Sequence, residues 1–132
     1  MRLAIAGIVI AVVTVAATPA LAAGDADKGK AVFRKCLSCH RIGPGARTLV
    51  GPELNGVVGR KAGSIEGYNY SKAMRNSGLT FDAATLTQYL KGPRALVPGT
   101  YMTFPGLKTD DDIANVTAYL KTFNADGSAA AP

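Results

Sequence analysis

"RKCLSCHRI", residues 34–42, sets two cysteines two residues apart and a histidine directly after the second. Cys36 and Cys39 are the only cysteines of the chain, and His40 is its only histidine. Four chemistries compete for so tight a cluster. A redox-active C-x-x-C pair belongs in a βαβ setting, and no strand pattern surrounds this one. Structural zinc takes four ligands, and the chain has only these three Cys and His side chains. A structural disulfide suits an exported protein but leaves the adjacent histidine without a role. The fourth chemistry uses all three residues. C-x-x-C-H is the attachment signature of c-type haem. Two thiols at this spacing reach two vinyl groups of one porphyrin, and the next residue is carried to the axial position over the iron.

The front end agrees with attachment outside the cytoplasm. Arg2 is followed by an apolar run from Leu3 to Val13, and Pro19-Ala20-Leu21-Ala22 combines a helix breaker with an A-x-A cleavage pattern. Residues 1–22 read as a secretory signal peptide cut after Ala22, which leaves residues 23–132 as one domain in the periplasm. The competing reading is an uncut membrane anchor. The whole chain carries a formal +6 and a mean hydropathy of +0.14, and much of that hydropathy comes from the leader. It has no long Lys/Arg run and no aromatic platform between basic residues, so nucleic acid is not the expected partner. The positive charge reads as solubility or as steering toward acidic proteins.

The remaining pattern is all-α. Gly24–Cys36 reads as a first helix with Asp25 and Asp27 at its positive end. Arg41 to about Tyr70 is a long irregular stretch, and so much loop in a small domain argues for something inside to wrap around. Ser71–Ser77 reads as a short helix capped by Ser71. Asp82–Gly92 reads as a helix stopped by Gly92-Pro93, and Arg94 to Leu107 as a second loop. Thr109 caps a last helix whose Ile113, Val116 and Leu120 share a face. Residues 126–132 read as a frayed tail.

His40 supplies one axial ligand, and a second histidine is excluded. Met74 and Met102 are the methionines left after the start residue. Met74 lies in the short helix "SKAMRNSG" and reads as core filler. Met102 lies in "VPGTYMTFPG", where prolines and glycines can hold a thioether over a ring, so Met102 is the expected sixth ligand. His/Met ligation raises the reduction potential and fills the sixth site, which favours electron transfer over catalysis.

"CLSCH", "GPELNGVVGRKAG", "YNYSKA", "YLKGPRALVPGTYM" and "VTAYLK", in this order, resemble the class I cytochromes c, in particular the mitochondrial-like cytochromes c2 of bacteria. The resemblance spans Gly29 to about Phe123. It implies a small cytochrome c fold with about four to five helices and large loops around one covalent haem c. It implies that Gly29 and Phe33 pack on the last helix near Val116 and Tyr119. It implies that Pro52 accepts a hydrogen bond from the His40 ring, that Arg60 and Tyr70 meet a haem propionate, and that Tyr89 and Thr100 hydrogen-bond near the axial methionine and the propionates. Lys35, Arg41, Arg94 and Lys108 resemble members of the basic ring around the haem edge. Two positions depart from the family. Phe81 replaces a tryptophan and Met74 an asparagine, so the pocket is expected to be less polar and its potential shifted. Tyr101 replaces a lysine, and Asp110 to Asp112 add negative charge, so steering is expected to be weaker.

These features imply a monomeric one-electron carrier, not an enzyme. It would run between a cytochrome bc1-type quinol-oxidising complex and a terminal oxidase or photosynthetic reaction centre. The alternative is a haem-based sensor or small-molecule binder in which Met102 is displaceable, with loop glycines such as Gly99 and Gly106 letting it move.

Overall fold

The computed structural model describes residues 23–132, and the expected signal peptide lies outside the described residues. Five helices appear in chain order: α1 (Ala26–Phe33), α2 (Lys72–Arg75), α3 (Ala83–Lys91), α4 (Pro93–Leu96) and α5 (Asp110–Leu120). The described residues form no extended strand. Two isolated bridges, Lys61 with Thr80 and Phe123 with Ala129, are their only β pairings.

Each longer helix begins where a side chain satisfies a free N–H group. Asp25 accepts from Asp27 and Lys28, Asp82 from Thr85, and Thr109 from Asp112. Ser71 caps α2 by accepting from Met74 N–H at 3.0 Å. The first helix is tighter at its end than expected, because α-helix gives way to a 3₁₀ turn over Arg34–Cys36. That turn passes directly into the Cys36-Cys39-His40 segment.

α1 and α5 cross at close range, and small residues permit it. A Cβ on Gly29 would lie 1.9 Å from the Asn115 carbonyl oxygen, and one on Gly24 would lie 1.9 Å from that of Ala114. Phe33 meets Tyr119 with ring centroids 5.4 Å apart, and Tyr119 meets Phe123 edge-on. Ile113 and Val116 are almost wholly buried, at 1% and 2% exposure, and join Phe33, Leu86 and Leu120 in one apolar core. Truncating Ile113 to alanine there removes about 2–5 kcal/mol.

Two segments differ from their sequence reading. Pro93–Leu96 is helical rather than loop, because Pro93 opens the turn, where its missing N–H is no loss, and the Gly92 carbonyl accepts from Ala95 and Leu96. Residues 126–132 do not simply fray. Ala130 N–H reaches Thr122, Asn124 Nδ2 reaches Ser128 and Ala129, and Gly127 is buried beside the Gly43 carbonyl. Polar composition alone hid a turn that closes on α5.

The long segment between α1 and α2 is irregular but anchored. Leu54 N–H bonds to the Arg41 carbonyl, Ala62 to Leu79, and Phe81 to Arg60. Buried Asn55 clamps Gly43 from both sides, accepting its N–H at 2.7 Å and donating to its carbonyl at 3.0 Å.

Candidate cofactor site

The helices and this segment enclose a cavity of about 620 Å³, lined by Cys36, Cys39, His40 and Met102 together. The turn after α1 is closed by Cys39 and His40 N–H groups, both bonded to the Cys36 carbonyl. Cys36 is partly buried, and desolvation pushes its thiol up to about 11, with Lys35 partly opposing.

The ring of His40 is held from behind. Its Nδ1 lies 2.7 Å from the Pro52 carbonyl, which fixes Nδ1 as the donor and leaves the Nε2 lone pair available. Burial lowers the His40 pKa despite that bond, so the ring is neutral at pH 7. Gly51, next to Pro52, makes this possible: a Cβ there would sit 2.4 Å from His40 Cε1. Gly51 N–H also bonds to the Cys39 carbonyl, and Tyr68 O–H donates to the Val50 carbonyl at 2.8 Å. Gly51, Asn55 and Tyr68 were not singled out by the sequence. Their partners are 12 to 18 positions away or in the imidazole itself, and the only local sign was a loop rich in glycine.

Met102 is half-buried, and its sulfur lies 3.4 Å from the Tyr89 hydroxyl. Thr100 Oγ1 accepts from Met102 N–H at 3.3 Å and stands 3.5 Å from the same Tyr89 hydroxyl. Burial raises the Tyr89 pKa, so the hydroxyl keeps its proton. Gly106 anchors the far end of this loop. Its φ is 108°, and a Cβ would lie 2.1 Å from the Lys91 carbonyl oxygen of α3. This glycine serves close approach and a left-handed backbone, not freedom of the loop. Met74 also lines the cavity, buried at 6% exposure.

Arg60 and Tyr70 line another part of the cavity. The Arg60 guanidinium donates to the carbonyls of Asn55 and Glu53 and lies 3.7 Å from the Glu53 carboxylate. Burial lowers its pKa, but a guanidinium remains charged. Tyr70 accepts from Ile65 N–H at 3.2 Å, which leaves its own proton to donate. Phe81 packs against Tyr89 at 5.1 Å between centroids and brings no polar atom to the wall.

The four expected docking cations are all exposed but are not equivalent. Lys35 pairs with Asp112 at 3.5 Å. Arg41 folds back onto the carbonyls of Leu37 and His40. Arg94 and Lys108 form no ion pair among the described residues.

This donor set fits a c-type haem. Two thiols, a neutral imidazole with a fixed tautomer and a thioether face one largely apolar cavity, and Arg60 offers positive charge to an anionic substituent. Comparison with known proteins agrees. The cytochrome c family model matches residues 26–124. Cytochrome c2 of Rhodoblastus acidophilus is 58% identical over 106 residues, covering 80% of this chain and 99% of that protein. Cytochrome c-554 of Methylosinus trichosporium is 52% identical over 113 residues, 86% of either chain. Among solved structures, cytochrome cH from Methylobacterium extorquens superposes with a TM-score of 0.71 at 46% identity, over 75% of this chain and 99% of that one.

The chain therefore belongs to the cytochrome c family, as a class I member of the bacterial cytochrome c2 type. It is an electron-transport protein, its cofactor is a covalently bound haem c, and Cys36 and Cys39 fit the attachment motif.

Proposed function

We propose that the chain is a soluble, monomeric, periplasmic one-electron carrier, not an enzyme, with His40 and Met102 as the axial ligands of its haem. The observation that carries the reading is that one cavity holds His40, backed by Pro52 at 2.7 Å, and Met102, backed by Tyr89 at 3.4 Å. Haem c, held by Cys36, Cys39, His40 and Met102, would supply a one-electron redox couple at this site. The chain's own residues keep that exchange inexpensive in reorganisation. Pro52 holds the His40 tautomer, Tyr89 and Thr100 hold the methionine loop, and the apolar wall of Phe81, Leu86 and Met74 keeps water away.

In this reading residues 1–22 are an export signal cut after Ala22, and residues 23–132 work as one unit. The donor is a quinol-oxidising complex of the cytochrome bc1 type. The acceptor is a terminal oxidase or a photosynthetic reaction centre, each met through an acidic surface by Lys35, Arg41, Arg94 and Lys108. The sensor alternative relied on Gly99 and Gly106 as hinges. The packing of Gly106 on Lys91 favours a closed loop instead.

The test is an absorption spectrum of oxidised holoprotein made in a host that assembles haem c, repeated on the reduced form under carbon monoxide. The carrier reading expects a far-red sulfur-to-iron band and no response to carbon monoxide. Ready carbon monoxide binding without that band overturns His40/Met102 ligation and leaves the sensor.

A further inference from the structure

Three consecutive carboxylates open α5, and two of them are committed to lysines from other elements. Asp112 Oδ2 lies 3.5 Å from Lys35 Nζ, and Asp110 Oδ1 lies 2.8 Å from Lys91 Nζ. Lys35 borders the cofactor cavity directly, and Lys91 adjoins it only along the chain. Lys35 is part of its lining, and Lys91 follows the lining residue Leu90 and carries the carbonyl under Gly106. Asp111, between the two acids, makes no ion pair among the described residues. Helix-dipole complementarity accounts for acids in this turn. It does not account for two of them reaching out to cations from α3 and from the turn after α1.

We propose that Asp110 and Asp112 set partner selectivity by holding Lys91 and Lys35 in internal pairs that an acidic redox partner must displace. The proposal rests on the reading of the cavity rim as the docking face. Both pairs are solvent-exposed, with side-chain exposures of 56% and 35% in the first and 53% and 82% in the second. Exposed pairs are weak, so opening one reduces encounter by about fivefold at most. A partner that sets a carboxylate close to Lys35 or Lys91 recovers that factor by replacing the internal acid. A partner with diffuse negative charge does not, and is attracted only by cations such as Arg94 and Lys108. The acids thus exchange non-specific attraction for a requirement of close fit.

The experiment compares three single variants of the holoprotein with equal net charge: Asp110→Asn, Asp111→Asn and Asp112→Asn. One readout is the rate at which reduced protein passes one electron to ferricyanide, giving oxidised protein and ferrocyanide, as ionic strength is varied. A second is the salt needed to elute each oxidised protein from a carboxylate resin, which involves no electron transfer. Asp110→Asn and Asp112→Asn are expected to react about threefold faster than wild type at low salt and to elute later than Asp111→Asn. Lys35→Gln is expected to cancel most of the Asp112→Asn gain. If all three variants behave alike on both readouts, net charge is the whole effect and the proposal fails while the docking reading stands. If the wild-type rate does not fall with added salt, the basic docking face fails too.

Discussion

The Tyr89 hydroxyl lies 3.4 Å from the Met102 sulfur, and the same hydroxyl stands 3.5 Å from Thr100. In the proposed His40/Met102 ligation, a donor aimed at the thioether withdraws electron density from it and favours the reduced metal. Tyr89→Phe removes that donor while keeping the ring against Phe81. The reduction potential is expected to fall by about 40 mV, the equivalent of one hydrogen bond of about 1 kcal/mol. A redox titration of the variant checks this, and an unchanged potential would show that the contact carries no electronic weight.

Gly51 tests the His40 side of the cavity. Its missing Cβ leaves room for the His40 ring, which a methyl would meet at 2.4 Å. Gly51→Ala is expected to push the imidazole off the Pro52 carbonyl and to destabilise the holoprotein by about 1–3 kcal/mol. Guanidinium unfolding followed at the Soret band measures the loss, and the pyridine haemochrome content should remain normal.

Gly29 tests the crossing of α1 and α5. Alanine favours a helix interior by about 1 kcal/mol over glycine. The Asn115 carbonyl at 1.9 Å from the new methyl opposes it by about 3 kcal/mol or more, because backbone cannot step aside. The clash wins, and Gly29→Ala is expected to lose about 2 kcal/mol or more in denaturant unfolding. A stabilised variant would mean that the two helices separate freely.

Acid stability has two local contributors. The bond from Thr85 N–H holds the Asp82 carboxyl below its ordinary 3.8, and the Ser128 side chain and N–H do the same for Asp126. Both groups are depressed in the folded state, so their support is present above pH 3.8 and is lost as pH falls through the lower folded value. Asparagine can still cap a helix but does not titrate there. Asp82→Asn with Asp126→Asn should flatten the decline of the urea midpoint below pH 3.8 relative to wild type. Parallel curves would remove both residues from the acid transition.

What was legible was mostly local in the chain. Cys36, Cys39 and His40 declare themselves because the c-type attachment motif sets them adjacent. Ser71 and Thr109 announce helix starts because a cap bonds two or three residues ahead. Met102 is named as a ligand only by elimination and loop composition, and Pro52, Arg60, Tyr70, Tyr89 and Thr100 are named by the family resemblance alone. The short helix Pro93–Leu96 hides where the sequence shows a Gly92-Pro93 stop and a loop from Arg94, since four residues are too few to show a period. Residues 126–132 were read by polarity, which does not reveal that Asn124 and Ser128 bond to each other.

The sequence by itself determined the cofactor chemistry, the all-α class and the starts of the main helices, because these depend on residue types a few positions apart. Only the tertiary structure decided that Gly51 backs the His40 ring, that Gly106 sits on the Lys91 carbonyl, and that Asp110 and Asp112 take hold of Lys91 and Lys35. Those relations join residues 11 to 77 positions apart, and such partners are set by how loops and helices pack around a cavity, not by any pattern along the chain.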